Sequence, residues 1–241
     1  MLHKTRGIVF HVTDYSESSV VAKIYTELFG LQSYLVNSVR KKKSKVKSAA
    51  MQPLALVDLV VYHKEHGGLQ RLADAKNNPV LKSIPFDIRK TSIVLFMNEV
   101  LFKSVKEEEA NQSLFEFVFH SIELLDMQNH VHSDFHLVFL VQLTKYLGFY
   151  PRENYDASKP VFNLQEGVFQ EEVPIHPFYT EQPLSEYFYL LLKSSLHSQD
   201  DLKIPVQYKR QLIEKLLEYY QLHVSGFANI KSHKVLEEVW S

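Results

Sequence analysis

Two rhythms of apolar residues divide this chain. Through residues 1–80 apolar and polar positions alternate with a period near two, the signature of half-buried strands. Ile8, Phe10 and Val12 are expected on one face, with Val9, His11 and Thr13 on the other. Val20, Ala22 and Ile24 share a side, opposite Val21, Lys23 and Tyr25. Phe29-Gly30-Leu31 supplies a turn, and a strand resumes from Gln32 to Val36. Two more apolar runs, residues 54–62 and 69–75, flank Gly67-Gly68. Five short strands rich in Val, Ile, Tyr and Phe predict a closed or nearly closed barrel, because closure removes exposed edges. An OB-fold is the leading candidate.

Beyond residue 80 the period lengthens to that of a helix. Pro79 and Pro85 bracket a connector, and helices are predicted over residues 88–105, 113–127 and 131–147, the last ended by Gly148 and Pro151. Five prolines between residues 149 and 183 mark an irregular excursion, in which Val161–Leu164 and Val168–Gln170 form a short hairpin around Glu166-Gly167. Helices resume over residues 184–195 and 206–222. A last one, residues 232–240, has Ser232 as its expected N-cap. The reading is α+β: a barrel domain, residues 1–80, then a helical domain, residues 81–241, with the insertion at about 149–183.

Charge sharpens this division. A formal net charge of −1 conceals 12 Lys and Arg against 6 Asp and Glu in residues 1–80, and 15 against 22 in the remainder. Half of the first segment's cations, Arg40, Lys41, Lys42, Lys43, Lys45 and Lys47, stand in one acid-free stretch. Such a run is either a solvated loop or an arm that contacts phosphates. Between strands three and four of an OB-type barrel the second reading is favoured, since these barrels hold single strands with basic loops and stacking aromatics. Lys4, Arg6, Lys23 and Arg71 extend the expected cationic surface. Phe10, Tyr25, Tyr34 and Tyr62 are possible stackers, with a core role the stronger expectation for each.

Composition removes several chemistries. With no cysteine there is no disulfide framework, thiolate zinc site or cysteine nucleophile, and the chain suits a reducing cytosol. No Gly-x-x-x-x-Gly-Lys-Ser/Thr loop is present. With tyrosine left out, the longest apolar runs have five residues, as at 93–97 and 137–141, far short of the ~20 that span a bilayer. His130, His132 and His136 with Asp134 form the densest set of possible metal ligands, yet no His-Glu-x-x-His accompanies them, and solvated or capping histidines are expected.

The order of short motifs carries a resemblance. Thr5-Arg-Gly-Ile-Val9, Asp14-Tyr-Ser-Glu-Ser18 and Tyr25-Thr-Glu-Leu-Phe-Gly-Leu31 precede the basic stretch. Met51-Gln-Pro-Leu54, Gly68-Leu69 and Ala73-Asp-Ala75 follow it, then Leu222-His-Val-Ser-Gly-Phe227 and Lys231-Ser232 near the C-terminus. Together these resemble the RecO family of bacterial recombination mediators over nearly the whole chain. The resemblance implies an N-terminal OB-fold and a helical C-terminal domain. It implies binding to single- and double-stranded DNA, strand annealing, and partnership with RecR and the acidic C-terminal tail of single-strand binding protein. It further implies indirect service to RecA, a cytoplasmic, nucleoid-associated location and no reaction chemistry.

Many relatives carry a four-cysteine zinc knuckle in the excursion. Tyr155, Ala157 and Ser158 stand where its first ligands are expected, so no zinc or other cofactor is anticipated, and apolar packing must hold the hairpin. His223 falls in the family's C-terminal motif and is read as tying the last two helices. The competing reading is a protein-interaction scaffold whose basic barrel docks acidic partners. A metal-dependent nuclease is disfavoured, because no paired carboxylates or histidine constellation supports it.

Overall fold

Alternation in the first segment resolves into five strands in a computed structural model, which describes residues 1–37, 46–64, 68–198, 202–227 and 229–240. They are β1 (Leu2–Asp14), β2 (Val20–Thr26), β3 (Gly30–Val36), β4 (Leu56–Tyr62) and β5 (Leu69–Asn77). The strands close in the order β1-β2-β3-β5-β4, with every pairing antiparallel except β3 with β5. Inward-facing Val9, Ala22, Ile24, Tyr34, Val57, Leu59 and Val61 fill the barrel, and a 3₁₀ turn at Ser48–Met51 adds Ala50 and Met51. Gly7 lies where a Cβ would come within 2.6 Å of Leu59 and 2.8 Å of Ile24, so the inner layer leaves room for a hydrogen only.

One expected alternation is corrected. Val9 pairs with Ile24 but His11 pairs with Lys23, so Phe10 is an extra residue in a bulge of β1. The bulge reverses the parity of β1. Val12 thus packs on the inner cluster with Val9, whereas Ile8 pairs with outward-facing Tyr25.

The outer apolar patch made by Ile8, Phe10 and Tyr25 needs a cover, and two helices provide it. These are α1 (Ile88–Ser104) and α2 (Gln112–Met127), which share one compact unit, Met1–Met127, with the barrel. Tyr25 lies 5.7 Å from Phe10 and 6.0 Å from Phe115, and its hydroxyl donates to the Asn111 carbonyl. Burial pushes the Tyr25 hydroxyl well above the usual phenol range. Asp87 caps α1 by accepting from the Arg89 and Lys90 amides.

The second unit, Gln128–Ser241, is built on α3 (Phe135–Tyr146), α4 (Leu184–Lys193), α5 (Val206–His223) and α6 (Ser232–Val239). The third helix begins four residues later than its sequence pattern suggests. Asp134 is held by Lys209 at 2.7 Å and by the Leu202 amide at 2.7 Å, and makes no side-chain cap bond to α3. His132 thus precedes the helix and does not share a helix face with His136, and no cluster of three possible metal ligands occurs among the described residues. Ser232 is the first residue of α6 rather than its cap, which is Lys231.

The excursion holds β6 (Val161–Asn163), β7 (Val168–Gln170) and β8 (Tyr179–Thr180) in the order β7-β6-β8. The hairpin matches its sequence pattern; the two-residue β8 is too short to leave one. Phe162 packs 4.7 Å from Phe169 and 4.2 Å from Phe188, so aromatic rings fill the space. Asn154 adds polar fixation, donating to the Phe169 carbonyl and accepting from its amide. Gly167, at φ +65°, passes where a Cβ would be 2.7 Å from the Tyr219 hydroxyl oxygen. His223 is also corrected: it bonds the Leu164 carbonyl at 2.9 Å and stacks on Phe149, tying α5 to the excursion rather than to α6.

Asn154→Ala leaves both backbone groups of buried Phe169 without partners and should cost about 1–3 kcal/mol in chemical denaturation, whereas a chelator should leave the wild-type melting temperature unchanged. Burial, reinforced by Lys209, lowers His136 from 6.5 to about 3. The unfolded chain therefore takes up this proton below pH ~6.5 while the folded chain does not. Stability should fall as pH drops from there toward 3, and His136→Leu should flatten that part of a melting-temperature profile.

Candidate nucleic-acid interface

The outer surface of the barrel has two characters. On β1, β4 and β5 it carries opposed charges: Arg6 faces Asp58, Asp58 faces Lys76, and Val60 lies between Lys4 and Asp74. These side chains line a shallow groove of about 490 Å³. Lys4 is exposed there, but its neighbours are of both signs.

Arg6 is committed to the fold. Its guanidinium donates to Glu27 at 2.9 and 2.8 Å, pairs with Glu116, and lies over the rings of Phe115 and Phe119 at 5.2 and 5.0 Å. The Glu27 hydrogen bond is the largest influence holding its pKa above the usual range, and the same bond lowers that of Glu27. Arg6 therefore ties β1 to the β2–β3 turn and to α2.

The second character belongs to β2, β3 and the neighbouring end of β5. Lys23 is exposed, its ammonium 5.5 Å from the Phe102 ring centroid, and faces Ser33 across β3. Arg71 is exposed, opposite Leu35 on one side and Tyr62 on the other. Lys47 is exposed where the chain re-enters the barrel between Val46 and the 3₁₀ turn. Arg40, Lys41, Lys42, Lys43 and Lys45 lie outside the described residues; their flanks, Val36 and Val46, are both buried in the barrel core.

Of the four candidate stacking residues, Phe10, Tyr25 and Tyr34 are at most 1% exposed and belong to the packing. Burial pushes the Tyr34 hydroxyl up to about 12. Tyr62 differs, with 45% of its surface exposed and the Arg71 guanidinium 5.7 Å from its ring centroid. Its outward direction was readable from parity: Tyr62 is four residues from Asp58 on one strand, so the two share a face. Exposed Lys64, just beyond it, was not among the expected cations; its amide and carbonyl are both bonded by the Gln70 side chain.

A closed five-stranded barrel with a basic connection, followed by helices, is the architecture implied by the motif resemblance, and comparison with known proteins agrees. The family model described as Recombination protein O N terminal matches residues 1–77, and that described as Recombination protein O C terminal matches residues 85–233. Similar proteins include the DNA repair protein RecO of Bacteroides fragilis, 35% identical over 242 residues and 100% of both chains. That of Azobacteroides pseudotrichonymphae is 33% identical over 241 residues, again 100% of both chains. That of Flavobacterium psychrophilum is 34% identical over 243 residues and 99% of each. Matched by both domain models and aligned end to end with these relatives, the chain belongs to the RecO family of DNA repair proteins.

Proposed function

We propose that this chain is a non-enzymatic recombination mediator. It binds single- and double-stranded DNA on the cationic side of the barrel and anneals complementary strands. With RecR and single-strand binding protein it helps to load RecA, working in the bacterial cytoplasm at the nucleoid. The observation that carries this reading is an OB-type barrel whose β2–β3–β5 side presents Lys23 and Arg71, continuous in sequence with a stretch of six cations and no acid. The contact set is Arg40, Lys41, Lys42, Lys43, Lys45 and Lys47 with Lys23 and Arg71, and Lys4 at its margin; Arg6 acts by positioning.

Phosphate contacts of this kind confer affinity without sequence preference, which a protein acting on any gap requires. Annealing then needs only that two backbones be neutralised and held close, with base pairing as the driving force. The tail of single-strand binding protein is acidic, and the second unit offers a counterpart despite its net charge. A cavity of about 90 Å³ is walled by Val206, Ile213, Leu236 and Trp240, with Arg210, Lys209 and one acid, Glu237, at its side. Lys209 is already paired with Asp134, which leaves exposed Arg210 as the cation for an incoming carboxylate.

The test is a fluorescent oligonucleotide titrated at several salt concentrations. Changing Arg40, Lys41, Lys42 and Lys43 to Ala should reduce the log–log salt slope by about 0.7 for each lost contact on single strands and about 0.9 on duplex. An unchanged slope would remove the stretch from the interface, and no binding at low salt would favour the protein-scaffold reading. Arg6→Ala should behave differently. It should cost about 1 kcal/mol of stability, a modest figure because the guanidinium keeps part of its water contact, and leave the slope as in wild type.

A further inference from the structure

Strand register places a continuous acid-free row across the outside of the barrel. Leu2 faces Tyr62, Tyr62 faces Arg71, Arg71 faces Leu35, and Leu35 faces Val21. Directly opposed residues project from the same side of a sheet, so these five form one strip over five strands' width. The parallel row beside it runs Leu69, Ser33, Lys23. Exposure is high for a soluble barrel: Leu2 is 53%, Tyr62 45% and Leu69 48% accessible. The outer acids of β4 and β5 stand on other rows, Asp58 against Lys76 and Asp74 against Val60.

Such a strip needs an occupant that tolerates a flat ring, short aliphatic contacts and positive charge together. A folded acidic protein would satisfy the cations but has no particular use for the ring. Duplex DNA would satisfy the cations and bury its base faces inside its own stack. An unpaired strand presents both a phosphate chain and open base faces, and each base has a π-face that can lie on an aromatic side chain. The position fits as well. OB-type barrels bind oligonucleotides on the face of their second and third strands and with the loop joining the last two. Val21 and Leu35 belong to that face, and Tyr62 is the last residue of β4 before that loop.

We propose that Tyr62, braced by Arg71, is a stacking platform for an unpaired base, and that it makes the barrel prefer single strands to duplex. The inference rests on the barrel being the DNA-binding module. Arg71 lies near the ring at 5.7 Å, where its charge favours the ring face and limits ring motion. Leu2 and Arg71 stand on either side of Tyr62 in the row, with Leu35 next beyond Arg71.

Anisotropy titrations separate this claim from the one it rests on. The probes are an oligothymidylate, an abasic oligonucleotide of the same length and charge, and a duplex. Wild type should bind the oligothymidylate more tightly than the abasic strand. Tyr62→Ala should lose about tenfold on the oligothymidylate and nothing on the abasic strand or the duplex, and Tyr62→Phe should restore the affinity. Equal wild-type affinity for the two single strands overturns the platform without recourse to any variant, while leaving the barrel a phosphate binder. An oligothymidylate affinity unchanged in Tyr62→Ala overturns it equally. Failure of wild type to bind any of the three removes the DNA-binding module and the platform with it.

Discussion

Three residues of β3 pairing in parallel with three of β5 close the barrel, and most of the molecule's first unit depends on that closure. Ser33, Tyr34 and Leu35 meet Leu69, Gln70 and Arg71. Without this contact the sheet would end in two unpaired edges, and side chains such as Tyr34 and Leu72 would face an open trough. With it, each strand residue has either an inside or an outside address. The inside is filled by one apolar cluster. The outside is divided among a patch roofed by α1 and α2, the groove of mixed charge on β1, β4 and β5, and the exposed strip through Tyr62. The same short pairing sets Arg71 beside Leu35 and so joins the two halves of the proposed DNA-binding side.

Charge is sorted by this geometry. Lys4 and Arg6 on β1 and Lys76 on β5 are spent on structure or balanced locally. Arg6 joins Glu27 and Glu116 over two phenylalanine rings, while Lys4 and Lys76 share a groove with Asp58 and Asp74. Counting lysines and arginines therefore overstates the available potential. Among the described strand residues, Lys23 on β2 and Arg71 on β5 are the exposed cations whose strand neighbours are not acids, fewer than the sequence excess of the first eighty residues suggests.

The sequence made much of this architecture legible. Period-two alternation located all five barrel strands, and period-3.6 stripes located the six helices to within a few residues. The failures have specific causes. The bulge at Phe10 inserts one residue, and a simple alternating pattern cannot register an insertion until pairing is known. The late start of α3 comes from Asp134 being recruited by Lys209, a contact 75 residues away in sequence. Grouping of α1 and α2 with the barrel was hidden because Ile8 and Tyr25 read as core without saying which core. Among the four rings the sequence offered as possible stackers, it did not separate exposed Tyr62 from buried Phe10, Tyr25 and Tyr34. Tyr62 looked like its buried counterparts by composition, and only its parity with Asp58 set it apart.

Strength of stacking bears on whether a mediator could use such a platform. A base on an aromatic side chain gains about 1–3 kcal/mol, close to the mean of ~1.4 kcal/mol for one stacking step in a duplex. A base held by Tyr62 is therefore exchangeable: pairing with a complementary strand recovers what leaving the ring forfeits. Phosphate contacts behave differently, since duplex retains the backbone charge they neutralise. One side of the barrel can thus combine a grip that survives annealing with a ring that yields to it. A pocket that enclosed the base more fully would bind single strands harder and oppose the step the protein is proposed to promote. On this account the half-exposed setting of Tyr62, with Arg71 beside its ring, is suited to handing a strand on rather than keeping it.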